Sequence, residues 1–597
     1  MRISLFILVS VFLIPLTVLC QDLIEVNTIT SESVFYQIEM EYKKGNLTYE
    51  EALQQKFYVA FDPSRAHSAF IPEGKETTTR CLTPLFAEFQ NAGDDLAADV
   101  RSELKSYIDT VCSELSPTRY SHTTKSGKFI IHYDTAGSRH AVPKADSNGS
   151  GIPDFIEYTA FAIDSTWNHL IGTLGFEDPV IRETEPYEIR FRDLGKNNYG
   201  YTCIKGIEST TFMILHHNYK NFPPNNHPEG NQAGALYASI AHEFKHASQY
   251  ATNLWRGEAG SLAWSEMDAT MTEDIVFEDV NDNLHFLRSA ANPSSASFAS
   301  IFGSPGNSIP VAYNHFTWKL YFAEKFGMEF WVDVWNQFIE DPEKIFLDAV
   351  RESLAQYHTT FEDEHLENLA WHLATGTANS GRDFGFKNRE MYPDPNYNWQ
   401  FRELPDSTSF QSPVQPLAAN FIMIEPGTFE TGNPAISVRT DEESAGIGLV
   451  GFFRDGSIQY LSLVNNDFRA DIQTRWTWEE LNKVGVVIVH MDAEMEDPIR
   501  YRLSAESIIP EQIALYQNYP NPFNPETIIQ FYLDRSQQVR IDVYDVIGRK
   551  VKTLTDQVYP QGHSNVRFRG TDLASGVYIY RLISDEQSLS KKMLLLK

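Results

Sequence analysis

Two histidines one helical turn apart, with a glutamate beside the first, constrain this chain more than any other feature. They lie in Ala241-His242-Glu243-Phe244-Lys245-His246-Ala247. On a helix, residues four apart share a face, so both imidazoles can reach one Zn2+ while Glu243 stands next to them. A bound metal lowers the pKa of water, and a neighbouring carboxylate can then take its proton. The pattern therefore demands an unbroken helix. Ala233, Leu236, Ile240 and Ala247 form an apolar stripe, and no Pro or Gly interrupts the stretch from Ala235 to Tyr250. The same spacing also arises by chance on surface helices, so the reading needs a third ligand.

Glu266 supplies it, within Trp264-Ser265-Glu266-Met267-Asp268-Ala269, and Glu273 follows. These two glutamates fall two turns apart on one helical face, with the small Ala269 between them permitting close packing. Two histidines and a glutamate complete a zinc site that leaves a fourth position for water. The pattern Trp-x-Glu-x-x-Ala-x-x-x-Glu resembles the gluzincin metalloproteases, their aminopeptidase-like branch in particular. That resemblance implies His242, His246 and Glu266 as zinc ligands, Glu243 as general base, and Glu273 as an outer carboxylate that orients a histidine. Metzincins carry a third histidine six residues after the second, but position 252 here is Thr. Gluzincins also place a Tyr or His opposite the metal to steady the oxyanion. Tyr313, in Val311-Ala312-Tyr313-Asn314-His315-Phe316 ahead of a helical pattern over 316–326, is the candidate, with His315 as its competitor. The strand pattern at 211–215 is expected to form the sheet edge on which an extended peptide docks.

A second metal loop runs from Asp146 to Glu157. Oxygen ligands for calcium fall at positions one, three, five, nine and twelve, namely Asp146, Asn148, Ser150, Asp154 and Glu157. Gly151 stands sixth, where the loop turns sharply, and Ile152 offers its carbonyl at the seventh. A single loop of this kind reads as a structural clamp.

The remaining organisation follows from texture. Residues 1–20 read as a signal peptide, with Met1-Arg2-Ile3 leading into an uncharged apolar run from Leu5 to Leu19. The run is shorter than the roughly 20 residues a membrane span needs, and no later stretch qualifies. Leu19 is bulkier than lipidation at Cys20 prefers, so ordinary cleavage is expected. Residues 21–117 show helical spacing over 31–42, 48–57 and 95–115 without a catalytic cluster, as a masking propeptide or a structural preface would. Residues 118–403 mix strands (129–133, 187–191) with helices (154–174, 234–250), which predicts an α+β domain. Residues 404–507 carry short apolar runs separated by Gly, Asp and Asn, and so read as a β-sandwich; residues 511–597 alternate Val539, Ile541 and Val543 with polar residues. Cys81 and Cys112 are the pair open to a disulfide. The acidic run from Glu273 to Asp282 reads as a solvated helix end, with a second cation site as the alternative. With 49 Lys and Arg against 80 Asp and Glu, the net charge is −31, which argues against nucleic acid or an anionic membrane as partner.

Two further resemblances extend these expectations. Residues 40–400 resemble a group of secreted bacterial metalloproteases through Leu47-Thr48-Tyr49-Glu50-Glu51-Ala52-Leu53, the Asp146 to Glu157 loop, Tyr199-Gly200-Tyr201-Thr202, the His242 to His246 motif and the Glu273 to Asp282 run. The C-terminus is similar to type IX secretion C-terminal sorting domains, through Leu515-Tyr516-Gln517-Asn518-Tyr519-Pro520-Asn521-Pro522-Phe523, Tyr544-Asp545-Val546-Ile547-Gly548-Arg549 and Ser575-Gly576-Val577-Tyr578. Together they imply a multidomain chain: an α+β zincin-like metalloprotease domain followed by two all-β sandwich domains, handled by type IX secretion machinery. Export would run through the periplasm of a Gram-negative-type bacterium to the surface or the medium. The expected activity is zinc-dependent peptide hydrolysis on a peptide or protein substrate. The competing readings are a non-catalytic surface-binding or adhesion protein with a vestigial zincin fold, and a zinc hydrolase of non-peptide amides.

Overall fold

The computed structural model describes residues 34–596 except 72–80, 113–117, 180–184, 196–197, 206–209, 258–261, 285–286, 288–312, 314, 380, 396, 406–407, 415, 427–431, 442–444, 466–467, 493–497, 509–511 and 585–586. The segment read as a signal peptide lies outside them. Four helices come first: α1 (Val34–Lys43), α2 (Tyr49–Phe61), α3 (Thr83–Ala92) and α4 (Ala98–Cys112). Helix α2 starts at a capping box in which Thr48 and Glu51 satisfy each other's backbone N–H groups. The periodicity missed α3, whose ten residues begin with Thr83-Pro84, proline suiting a first turn that needs no backbone N–H.

A five-stranded sheet follows, made of β1 (Tyr120–Thr123), β2 (Phe129–Tyr133), β3 (Tyr187–Arg192), β4 (Gly200–Lys205) and β5 (Thr210–His216). Its order is β1-β2-β3-β5-β4, with β2, β3 and β5 parallel and the two outer strands antiparallel to their neighbours. The peptide-docking edge expected at 211–215 is thus misplaced. That run is β5, which β3 flanks on one side; β4 folds back along the other and takes the edge. The apolar runs of β4 and β5 look alike in sequence, and only their pairing separates them.

Helix α5 (Asp154–Trp167) and the long helix α6 (Asn231–Asn253) pack on the sheet, with α7 (Leu262–Val276) beside α6. Behind them stand α8 (Phe316–Phe326), α9 (Glu329–Glu340), α10 (Phe346–Gln356) and α11 (Phe361–Leu373). Large rings fill the space between these helices: Trp264 stacks on Phe346 at 4.2 Å, and Trp318 and Trp331 are fully buried.

Two sandwich-like pairs of sheets complete the chain. In the first, one sheet holds β6 (Trp399–Phe401), β8 (Ala419–Ile424), β10 (Ala445–Phe453), β11 (Ile458–Asn465) and β13 (Leu481–His490) in the order β11-β10-β13-β8-β6. The facing sheet holds β7 (Thr408–Val414), β9 (Asn433–Thr440), β12 (Arg469–Gln473) and β14 (Ile499–Ile508) in the order β12-β9-β14-β7. Every residue of β10 is buried, because one of its faces packs into the sandwich and the other takes α11. Leu373 of α11 approaches so closely that a side chain at Gly485 would meet its Cδ2 at 2.3 Å. The last pair, spanning Ala514–Leu515 to Ser588–Leu595, packs a core of Phe531, Ile541, Phe568 and Tyr580 between sheets of three and four strands.

Candidate metal centre

Helices α6 and α7 bring three sequence-predicted ligands to one point. His242 Nε2 and His246 Nε2 lie 3.2 Å apart, and each is 3.1 Å from a different oxygen of Glu266. All three residues are buried to within 1% of complete exclusion from solvent. The opposite nitrogens of both rings are committed. His242 Nδ1 lies 2.8 Å from Glu273 Oε1, and His246 Nδ1 lies 2.8 Å from Gln249 Oε1. The amide of Gln249 is fixed in turn, because its Nε2 donates to the Ser265 carbonyl and to Asp268 Oδ2. In the neutral rings that bind a metal, each Nδ1 therefore carries the proton and each Nε2 turns a lone pair inward. Two lone pairs and a carboxylate facing one another repel unless a cation sits among them. Tetrahedral zinc with bonds of about 2.0–2.1 Å to nitrogen separates two ligand nitrogens by about 3.4 Å, close to the spacing here. Both Glu266 oxygens are buried without a hydrogen bond, which leaves their lone pairs available to a cation. The donor set fits zinc.

Electrostatics says the same. Burial disfavours a charged His242, but the carboxylates of Glu266 and Glu273 overcome it and hold the imidazolium up to about 9. Burial likewise opposes ionisation of Glu266, and the two histidines override it, drawing the carboxylate down to about 2. The centre attracts positive charge, whether a proton or a metal ion.

Buried charges hold the two helices in register. Lys245 Nζ and Lys319 Nζ of α8 lie 3.2 and 3.3 Å from opposite oxygens of Asp268, and Lys319 also donates to the Trp264 carbonyl at 2.9 Å. Sequence reading passed over Lys245, Asp268, Lys319 and Gln249. Two of them sit inside the motifs, at the fourth position of His-Glu-x-x-His and two residues beyond Glu266, so the signal was present but carried no ligand chemistry.

Glu243 points toward the sheet edge. Its Oε2 accepts from Thr83 Oγ1 at 3.1 Å and lies 3.0 Å from Thr202 Oγ1 of β4. Thr83 Oγ1 also accepts the Thr202 N–H at 2.8 Å. Tyr313 is buried with its ring centre 6.0 Å from that of His242, and its hydroxyl accepts the Cys81 N–H at 3.2 Å. His315 is buried just before α8, its carbonyl accepting the Trp318 N–H. The Tyr313 ring thus stands beside that of His242.

The cysteines depart from expectation. Cys112 at the end of α4 is bonded to Cys203 of β4, and Cys81 carries a free, buried thiol. Cys81 lies instead beside the two histidines: Cys81, His242, His246 and Glu266 hold one potential ligand atom each within 4.8 Å of one another. Burial and the carboxylates of Glu243 and Glu266 keep this thiol well above its ordinary range while no cation is present. Asp193, His216 and His217 form the other such group among the described residues. There His216 Nδ1 accepts backbone N–H groups from Asn218 and Tyr219, and Nε2 faces the Gly195 carbonyl at 3.1 Å, so no lone pair is left for a metal.

In the Asp146 loop, Gly149 and Gly151 take left-handed conformations at φ 72 and 85. The Asn148 amide reaches Glu157 Oε2 at 2.7 Å, Ser150 Oγ reaches the Ile152 carbonyl at 3.2 Å, and Asp146 accepts the Ser150 and Gly151 N–H groups. Asp154 turns back to the Ser147 N–H at 2.9 Å. Positions three with twelve and five with seven thus face each other across the loop. The acidic run after Glu273 is solvated only in part: Glu278 and Asp279 are exposed, but Asp274 and Asp282 are buried, with Asn283 and Asn225 amides donating to them. Burial lifts the Asp274 carboxyl to about 6.

The family described as secretion system C-terminal sorting domain matches residues 517–596. The chain therefore carries a type IX sorting tail and is exported to the cell surface or beyond it. Among the described residues no helix is long and apolar enough to cross a membrane. No curated protein matches the chain. Among solved structures it is similar to apo beta-glucuronidase 3 of Bacteroides uniformis, at 13% identity over 30% of this chain and 26% of that one, with a TM-score of 0.12. A Ruminococcus gnavus beta-glucuronidase is similar at 8% identity over 27% and 32% of the two chains, TM-score 0.11. A segment of two fibronectin type-III domains from chicken tenascin is similar at 9% identity over 32% and 98%, TM-score 0.10. The chain spans about a quarter to a third of the two glucuronidases, and scores this low define no common fold.

Proposed function

We propose that the chain is an exported zinc-dependent metallopeptidase whose helix-and-sheet unit is zincin-like. One observation carries the reading: two histidine nitrogens and a carboxylate, with tautomers fixed from behind by Glu273 and Gln249, converge as bare acceptors on one point. Zinc held by His242, His246 and Glu266 would act as a Lewis acid toward water and a carbonyl oxygen. Glu243 takes the proton of the attacking water and returns it to the leaving amine. The Tyr313 hydroxyl donates to the oxygen on which negative charge develops. Strand β4, as the sheet edge, offers its backbone groups to an extended substrate. The Asp146 to Glu157 loop serves as a calcium clamp at the start of α5.

The test uses the full chain loaded with zinc, before and after limited nicking by a second protease that is then removed. Metal analysis should find about one zinc per chain. Wild type should cleave members of an unbiased peptide library, and Glu243→Gln should keep zinc yet lose cleavage by at least a thousandfold. No peptide turnover by any wild-type form would defeat the reading and leave a non-catalytic binding protein.

A further inference from the structure

We infer that Cys81 is the fourth ligand of the zinc centre, and that the stretch around it holds the intact chain inactive. The inference rests on the zinc-peptidase reading above and concerns the regulation of the same site.

Four contacts between this stretch and the centre carry it, and each blocks a different function. The Cys81 sulfur lies in the same cluster as His242, His246 and Glu266, all ligand atoms within 4.8 Å of one another and all four residues buried. Sulfur and nitrogen bound to one tetrahedral zinc at about 2.3 and 2.0–2.1 Å would stand about 3.6 Å apart, well inside that limit. The Glu266 oxygens, buried and without hydrogen bonds, point to an ion that this set would share. Thr83 donates its hydroxyl to Glu243 and so occupies the carboxylate that would take a proton from water. The Tyr313 hydroxyl oxygen accepts the Cys81 N–H, so the Cys81 backbone stands against the group that would meet a substrate oxygen. Finally, Cys81 pairs as a parallel bridge with Gly200, the first residue of the edge strand β4, so it lies where a substrate backbone would dock.

The chemistry of the donor set gives these contacts one meaning. Three protein ligands with an open position make a catalytic zinc site; four make a closed one. Coordination of Cys81 releases its thiol proton to solvent and leaves no position for water. Packing keeps the stretch in place. Cys81, Leu82, Leu85 and Phe86 are buried in one cluster with Tyr201, Cys203 and Ile214 of the sheet. The Cys112–Cys203 disulfide joins α4 to the edge strand, so a cut beyond Cys112 alone would leave the plug attached. Activation requires a break that frees Cys81 and Thr83 from β4.

The test uses the full chain with Co2+ in place of zinc. Wild type should show a near-ultraviolet sulfur-to-cobalt charge-transfer band, absent from Cys81→Ser and Cys81→Ala, while all three bind one equivalent of cobalt. In wild type, alkylation of Cys81 read by mass spectrometry should be at least tenfold faster after chelation than with zinc bound. This second readout needs no variant and stands if the variants misfold. Peptide hydrolysis by intact Cys81→Ala should exceed that of intact wild type at least tenfold. Identical cobalt spectra, or alkylation unaffected by zinc, would overturn the ligation. Equal hydrolysis by intact wild type and Cys81→Ala, with the former already active, would overturn the latency. A sulfur band with no turnover by any form would instead leave Cys81 a ligand and defeat the peptidase reading.

Discussion

Lys319 offers a quantitative check on how helices α6 and α7 are held together. Its ammonium is fully buried, and Asp268 between it and Lys245 balances only one of the two positive charges. Burial draws Lys319 down from 10.5 to about 8, with Lys245 adding to the effect and Asp268 opposing it. At about 1.4 kcal/mol per pH unit, that gap corresponds to about 3 kcal/mol. Below pH 8 the folded and unfolded chains both hold the proton, and the folded state carries the whole penalty. Between pH 8 and 10.5 the unfolded chain keeps the proton and the folded one releases it, so stability rises with pH. Wild type should gain about 2 kcal/mol between pH 8 and 9.5, before the exposed tyrosines of the unfolded chain ionise. Lys319→Met should lack this rise. At pH 7 it should be more stable than wild type by about 1–2 kcal/mol, the gain being reduced by the lost hydrogen bond to the Trp264 carbonyl. Urea titrations followed by tryptophan fluorescence suit the measurement, because Trp331 and Trp335 lie 4.8 and 6.0 Å from the ammonium. Parallel pH profiles for the two proteins from pH 7 to 10 would refute the reasoning, as would a wild type that loses stability relative to the variant as pH rises.

The other predictions concern the proposed zinc and calcium sites. Glu273→Gln removes the negative charge 2.8 Å behind His242 while keeping an acceptor, and should weaken zinc binding about 10- to 100-fold in competition with a chromophoric chelator; unchanged affinity would show that Glu273 does not orient the ligand. Calcium at about a hundred times its dissociation constant should stabilise the unit containing α5 by about 2.7 kcal/mol. Asp146→Ala should abolish that shift in a thermal scan, and a wild-type scan unmoved by selective calcium chelation would remove the loop from consideration.

Much of this molecule was legible in the residues because the signals were local. The helix 316–326 appears with those bounds, the strand 129–133 likewise, and the pattern over 234–250 lies inside α6. Such elements are written by spacing within one segment, which period and turn chemistry reveal directly. The convergence of His242, His246, Glu266 and Glu273 was legible for the same reason, since helical spacing fixes which side chains share a face. What failed was pairing between segments. The runs at 200–205 and 210–216 are both apolar strands, and which one became the edge depended on hydrogen bonds to β3, more than a dozen residues upstream. Asp274 and Asp282 looked like a solvated end because nothing nearby in sequence shows the Asn225 amide that receives one of them.

The cysteines mark the division most sharply. By itself the sequence determined that a helix would offer His242 and His246 on one face with Glu243 beside them, that Glu266 would join the histidines, and that the last 80 residues would form a sorting tail. Only the tertiary structure decided that Cys112 would bond Cys203 across a separation of 91 residues, and that Cys81, 161 positions before His242, would lie beside His242, His246 and Glu266. A thiol has no periodicity and no preferred neighbour in sequence. Its partner is whatever the packing of α3 against the edge strand brings within reach, and that packing is settled by apolar burial across the whole unit.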